Sequence, residues 1–236
     1  MADSRDELTV VHLGRLPYAE GFELQERVRD AVEDGRIGDT LLLLEHEPTY
    51  TVGRRSEEGE LAMDRDWYAA RGIEVFETDR GGKVTYHAPG QLVGYPVMRV
   101  DDVVAHVRRM EDAIVEALAG EEIDARSRAD EGPDFTGVWV GERKIASIGV
   151  HVRRGISTHG FSVNADMEME PWSWIVPCGL STPMTSMEAE TGRSPLLPCL
   201  RKRVAWAWTE RCGRRQRLVS ESRLREIVSR VPAGGA

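Results

Sequence analysis

A cysteine between a proline and a glycine, and a lysine in a chain that otherwise uses arginine, are the residues best suited to chemistry. Cys178 sits in Trp174-Ile175-Val176-Pro177-Cys178-Gly179, where Pro and Gly impose an irregular turn on the thiol. A thiol becomes a good nucleophile when a nearby cation or helix N-terminus lowers its pKa. The candidate cations are Lys144, His87, His151 and His159. The chain has 28 Arg and three Lys: Lys83, Lys144 and Lys202. Lysine can shift its pKa and exchange a proton, whereas arginine effectively cannot, which singles out Lys83 and Lys144. Strand alternation in Lys144-Ile145-Ala146-Ser147-Ile148-Gly149 puts Lys144, Ala146 and Ile148 on one face and predicts a partly buried ammonium. A solvated lysine at a hairpin end is the plain alternative. Cys199 and Cys212, with apolar neighbours in or beside a helix, are expected to be buried structural thiols.

A second concentration of unusual residues runs from Arg80 to Gln91: Arg80-Gly81-Gly82-Lys83-Val84-Thr85-Tyr86-His87-Ala88-Pro89-Gly90-Gln91. Gly81-Gly82 and Pro89-Gly90 are turn signals around a short strand. Alternation points Val84 and Tyr86 one way and Lys83, Thr85 and His87 the other. Glycine lets backbone approach a ligand, and the polar side chains line one edge. An ordinary hairpin is the bland reading.

The elements that must position these groups follow from pattern. Leu8 to Leu13 reads as a strand, and Pro17 to Asp34 as a helix with Pro at its first turn. Leu41 to Leu44 is a buried strand, and Thr49 to Val52 resumes extended structure. Asp64 caps a short helix ended by Gly72, Ile73 to Phe76 is a strand, and Gln91 to Met98 another. Asp101 or Asp102 starts a long helix to Gly120; Arg126 to Pro133 reads as a loop. Gly137 to Val140, Lys144 to Val152 and Ile156 to Val163 form a meander. Asn164 to Pro198 shows little periodicity, though Trp172, Trp174 and Ile175 argue for order. A helix with Leu197, Leu200, Val204 and Trp208 ends near Gly213, and a last one spans Glu221 to Val231. One mixed α/β domain of 236 residues is expected, with its core at about 8–213 and frayed termini.

Composition excludes several classes. A net charge of −9 argues against general nucleic-acid binding. No apolar run approaches a membrane span, and Met1 to Glu7 is unlike a signal peptide, so a cytoplasmic protein with reduced thiols is expected. The six histidines show no metal-ligand spacing, and no metal is expected. No GxSxG elbow or GxxxxGK[ST] phosphate loop occurs, which leaves the motif case for ATP weak.

Four blocks together resemble the lipoyl(octanoyl) transferases, the octanoyl-acyl-carrier-protein:protein N-octanoyltransferases. They are Glu45 to Arg54; Arg80 to Pro96; Lys144 to Gly149 with His159 to Asn164; and Pro177-Cys178-Gly179. The resemblance implies the α/β fold shared with biotin and lipoate protein ligases. It implies that Cys178 carries the acyl group with Lys144 as its partner. It implies that Arg80, Gly81, Gly82, Lys83, Val84, Thr85, Tyr86 and His87, with Ser147, Ile148 and Gly149 and with Gly160, Phe161 and Ser162, match acyl-binding segments. The implied donor is octanoyl-acyl carrier protein. The implied acceptors are lipoyl domains of 2-oxoacid dehydrogenase complexes and the glycine cleavage H protein, with no cofactor. Val176 stands where the family often has Asn. Phe161-Ser162-Val163 replaces the usual Leu-Ala-Leu, which could reshape the acyl tunnel. An ATP-dependent lipoate or biotin ligase is the runner-up within this fold. A non-catalytic module that binds acyl groups or lipoyl domains is the competing class.

Overall fold

The computed structural model describes residues 6–176 and 183–229. Cys178, with Pro177 and Gly179, lies outside the described residues, as does the predicted end of the last helix beyond Ser229. The chain opens with β1 (Glu7–Leu16), α1 (Tyr18–Glu33), β2 (Thr40–His46), β3 (Thr49–Val52) and α2 (Arg65–Ala69). It continues through β4 (Glu74–Glu77), β5 (Thr85–His87), β6 (Gln91–Val97), α3 (Val103–Ala119), β7 (Arg126–Ser127) and β8 (Val138–Val140). The last elements are β9 (Arg143–Arg153), β10 (Ile156–Asn164), α4 (Met187–Thr191), α5 (Leu197–Arg211), β11 (Arg215–Val219) and α6 (Glu221–Ser229).

An eight-stranded mixed sheet has the order β11-β1-β2-β6-β10-β9-β8-β7, and a three-stranded sheet the order β4-β3-β5. The parallel pair β1 and β2 requires a crossover, which α1 supplies. From β2 onward the large sheet is antiparallel. Both of its faces are covered, so β2 is a continuous leucine run rather than an alternating one. Leu41 and Leu43 face a core with α3 and α5, while Leu42 and Leu44 face a core with α1 and α6. Asp102 caps α3 by accepting from Val104 N and Ala105 N. The buried Met110, Ala113, Ile114, Ala117 and Leu118 then form one helical stripe. A third core, with Tyr50, Tyr68, Tyr86 and Trp172, lies under the small sheet. No helix among the described residues is long and apolar enough to cross a membrane.

The fold departs from sequence expectation in four places. Arg126–Ser127 pairs with β8 and is followed by two short 3₁₀ turns, where a loop was expected. The aperiodic stretch after Asn164 contains a 3₁₀ turn over Glu170–Trp174 and then α4. Tyr50 and Tyr68 hydroxyls donate to Pro171 O and Trp174 O, which orders it without periodic pattern. Arg215–Val219, too polar to announce itself, is an edge strand on β1. Cys199 is exposed, not buried: it occupies the outward side of the first turn of α5.

Candidate active site

The two sheets face each other across a narrow cleft of about 470 Å³, its open mouth included. Its floor is β6 and β10, through Val93, Tyr95, Gly160 and Phe161. One wall is β9, through Ser147, Ile148 and Gly149; the other is the Arg80–His87 segment. The walls meet backbone to backbone. Gly81 N donates to Val150 O at 3.0 Å, and a Cβ on Gly149 would fall 2.6 Å from Gly81 O. Arg54 N and Arg55 N donate to Arg80 O and Gly82 O, so the second wall is fastened to the end of β3. Alternation over the short strand is as expected: Lys83, Thr85 and His87 line the cleft, while Val84 and Tyr86 turn into the third core.

Lys144 closes one end of the cleft and is only 3% exposed. A β-bulge puts it there: Trp139 pairs with Lys144 while Val138 pairs with Ala146, leaving Ile145 extra. The bulge breaks the expected alternation. Ile145 and Ala146 both join the core, and Lys144 turns into the cleft without Ala146 beside it. Its Nζ lies 5.3 Å from the Trp139 ring centroid. Its shaft crosses Gly137, where a Cβ would sit 2.6 Å from Lys144 Cε. The main chain of Lys144 donates to Pro183 O and accepts from Thr185 N, each at 2.9 Å. On the other side of the undescribed segment, Val176 N donates to Glu60 O at 2.9 Å. Glu60 in turn holds the Lys83 ammonium at 3.0 Å.

A buried hydrogen-bond chain joins the Arg80–Gln91 motif to Lys144. His87 Nδ1 donates to Gln91 Oε1 at 2.7 Å, and Gln91 Nε2 donates to Asn164 Oδ1 at 2.9 Å. Asn164 Nδ2 donates to Thr185 O at 2.9 Å, and Thr185 N reaches Lys144 O. Burial holds His87 well below the usual histidine pKa, with the nearby His46 adding to the effect. Arg80 is also committed to the frame: Nη2 donates to Thr51 O and Thr51 Oγ1, each at 2.7 Å.

His159 lies farther along the cleft, paired in register with Val150. It takes φ +58°, unusual for a non-glycine, and its N–H is caught by buried Gln25 Oε1 at 2.6 Å. Its Nε2 donates to Asp79 Oδ1 at 2.8 Å, and His151 Nδ1 donates to Asp79 Oδ2 at 2.6 Å. The His159 bond holds the Asp79 carboxyl far below the usual carboxylate range, while burial pushes His159 itself down. Burial therefore disfavours the charged form of both His87 and His159. The lysines that line the cleft are Lys144 and the Glu60-paired Lys83.

The lipoyl protein ligase A/B catalytic domain matches residues 17–207. The chain belongs to that family. Its catalytic-domain relatives include the octanoyltransferase of Acidobacterium capsulatum, 42% identical over 208 residues, covering 80% of this chain and 83% of that protein. The fold matches a lipoate protein ligase of Thermoplasma acidophilum, with a TM-score of 0.69 at 18% identity, over 94% of this chain and 92% of that one. A biotin protein ligase from Aquifex aeolicus matches more loosely, with a TM-score of 0.51 at 12% identity, over 86% of this chain and 68% of that one. The α/β fold implied by the sequence resemblance is thus the fold observed.

Of the segments matched by resemblance, Arg80, Gly82, Lys83, Thr85, His87, Ser147, Ile148, Gly149, Gly160, Phe161 and Ser162 all line the cleft with Lys144. Gly81 stands behind the wall and fastens it to Val150. Sequence reasoning missed Asp79, Gln25 and Trp139, and gave Asn164 only as the last residue of a resembling block. Only Asp79, next to the glycine motif, carried a local signal; the others are brought in by strand pairing across the sheet.

Proposed function

We propose that this chain is an octanoyltransferase that moves an octanoyl group from octanoyl-acyl carrier protein to a lysine of a lipoyl domain, through a thioester on Cys178. The observation that carries the reading is the setting of Lys144. It is a buried lysine lining the cleft, and its main chain is tied to Pro183, five positions after Cys178 in the chain. Val176, two positions before Cys178, is tied to Glu60 and through it to Lys83 on the cleft wall. The relatives named octanoyltransferases support the same reading.

In this reading Lys144 stabilises the Cys178 thiolate by charge. The thiolate attacks the donor carbonyl, the carbonyl–sulfur bond of the donor breaks, and the carrier leaves as a thiol with a proton taken from Lys144. The acceptor lysine, as a free amine, then attacks the acyl-cysteine. The second carbonyl–sulfur bond breaks, an amide forms, and the proton lost by the amine restores the Lys144 ammonium. Thioester exchange is nearly neutral and amide formation runs downhill, so the steps as written balance without a co-reactant. The acyl chain lies along the cleft, between the walls at Gly82 and Gly149 and over the floor at Gly160.

Intact mass after mixing with octanoyl-acyl carrier protein tests the proposal. The expected result is one octanoyl adduct on Cys178, absent from Cys178→Ser. An adduct that persists in Cys178→Ser, on Cys199 or Cys212, would count against it. Octanoylation of a lipoyl domain from free octanoate and ATP, but not from the carrier thioester, would instead favour the ligase reading.

A further inference from the structure

We propose that Glu111, on α3 behind the large sheet, is a positioning residue for Lys144; this rests on the reading of Lys144 as the partner of Cys178. Glu111 has no exposed surface. Its Oε2 accepts from Arg108 Nη1 at 2.6 Å and Ser127 Oγ at 2.7 Å, and its Oε1 accepts from Gly137 N at 2.9 Å. Gly137 precedes β8 at φ +134°, a conformation that side chains rarely adopt. A Cβ there would fall 2.6 Å from Lys144 Cε, 3.3 Å from Lys144 Nζ and 2.5 Å from Ala146 O. The lysine shaft therefore lies against the bare α-carbon of Gly137.

Glycine is the most conformationally free residue, and this one forms the seat of the ammonium. The Gly137 N–H is held by a buried carboxyl that Arg108 and Ser127 fix from its other oxygen, so Glu111 removes that freedom. An apolar side chain would glue α3 to the sheet at lower desolvation cost than a buried carboxylate. The carboxylate is aimed at the one backbone group whose displacement would unseat Lys144. Glu111 acts through Gly137 and does not touch the reacting atoms.

The test compares Glu111→Ala, Glu111→Gln and Gly137→Ala by the single-turnover rate of Cys178 acylation, read by intact mass and scaled to the folded fraction from circular dichroism. Glu111→Ala and Gly137→Ala are expected to slow acylation by about 10- to 100-fold, the cost of a misplaced group. The donor concentration giving half-maximal rate should move by less than about threefold, because donor binding is not touched. Glu111→Gln keeps an oxygen for Gly137 N and is expected to regain most of the rate. Glu111→Ala at the wild-type rate per folded molecule would overturn the proposal, as would Glu111→Gln as slow as Glu111→Ala. If Glu111→Ala does not fold, Gly137→Ala at the wild-type rate overturns it alone. A wild-type protein that never forms acyl-Cys178, or a Lys144→Met variant acylated as fast as wild type, would instead sink the underlying dyad reading.

Discussion

Lys144 and Pro183 share a main-chain hydrogen bond of 2.9 Å, with Thr185 N returning a second to Lys144 O. The strand that carries the ammonium and the chain at Met184 thus form a short parallel bridge. Both bonds belong to the backbone, so a change of side chain leaves them in place. Lys144→Met keeps both main-chain bonds and most of the length of the side chain, so the variant is expected to fold. Its Cys178 acylation rate should fall by about 10²- to 10⁴-fold, the usual worth of a positioned acid–base group. Rapid-quench mass measurement checks this.

Asn164 is the joint in the chain from His87 to Lys144. Asn164→Leu leaves Gln91 Nε2 without its Asn164 acceptor and Thr185 O without its Asn164 donor. Each buried group left unsatisfied costs about 1–3 kcal/mol, so the variant should lose stability on that scale and slow acylation as well. Urea unfolding and single-turnover kinetics on the same sample read both effects. Full stability in the variant would show that the chain carries no strain when cut.

Stability should fall on mild acidification. Burial lowers His46 and His106 from 6.5 to about 4 in the folded protein. Above about pH 6.5 both states are neutral at these sites and stability is flat. Between about pH 6.5 and 4 the unfolded chain binds protons that the folded one refuses, so stability drops by about 1.4 kcal/mol per pH unit for each histidine. Asp79, held far below the usual carboxylate range, acts only at more acidic pH. His106, stacked edge-on against Trp208 with neither ring nitrogen hydrogen-bonded, can be replaced. His106→Phe should flatten the slope by one histidine's share. An unchanged slope in urea titrations at pH 5, 6 and 7 would refute the assignment.

The two described cysteines should separate by reactivity. Cys199 is exposed, while burial pushes the Cys212 thiol up to about 11. A thiolate is the reactive form, so an aromatic disulfide reagent at pH 8 should modify Cys199 quickly and Cys212 only on unfolding. Cys199→Ser should leave acylation of Cys178 unchanged. Equal labelling rates for the two would contradict the burial of Cys212.

Much of this was readable from residue pattern. An aspartate at 101 or 102 as the start of α3, Asp64 as the cap of α2, the Leu41 to Leu44 run and the facing of Lys83, Thr85 and His87 all follow from local pattern. What was hidden arises from pairing between distant segments. The bulge at Ile145 overrode period-two alternation around Lys144, and no residue on β9 announces it. Glu111 reads as one more polar helix position until β8 is laid against α3. The order of the segment after Asn164 comes from two tyrosine hydroxyls more than 100 positions upstream.

Where Gly149 meets Gly81 behind the cleft wall, main chain lies against main chain. Atoms shared by every amino acid cannot be exchanged by a point mutation, so the gauge of the opening is set by the sheet's own spacing. In the proposed reading, variation in the acyl length admitted comes from the floor, where Phe161 lies across Gly94 and any Cβ on that glycine would fall 2.1 Å from its ring. A lineage that trims Phe161 can lengthen its cargo without widening the door.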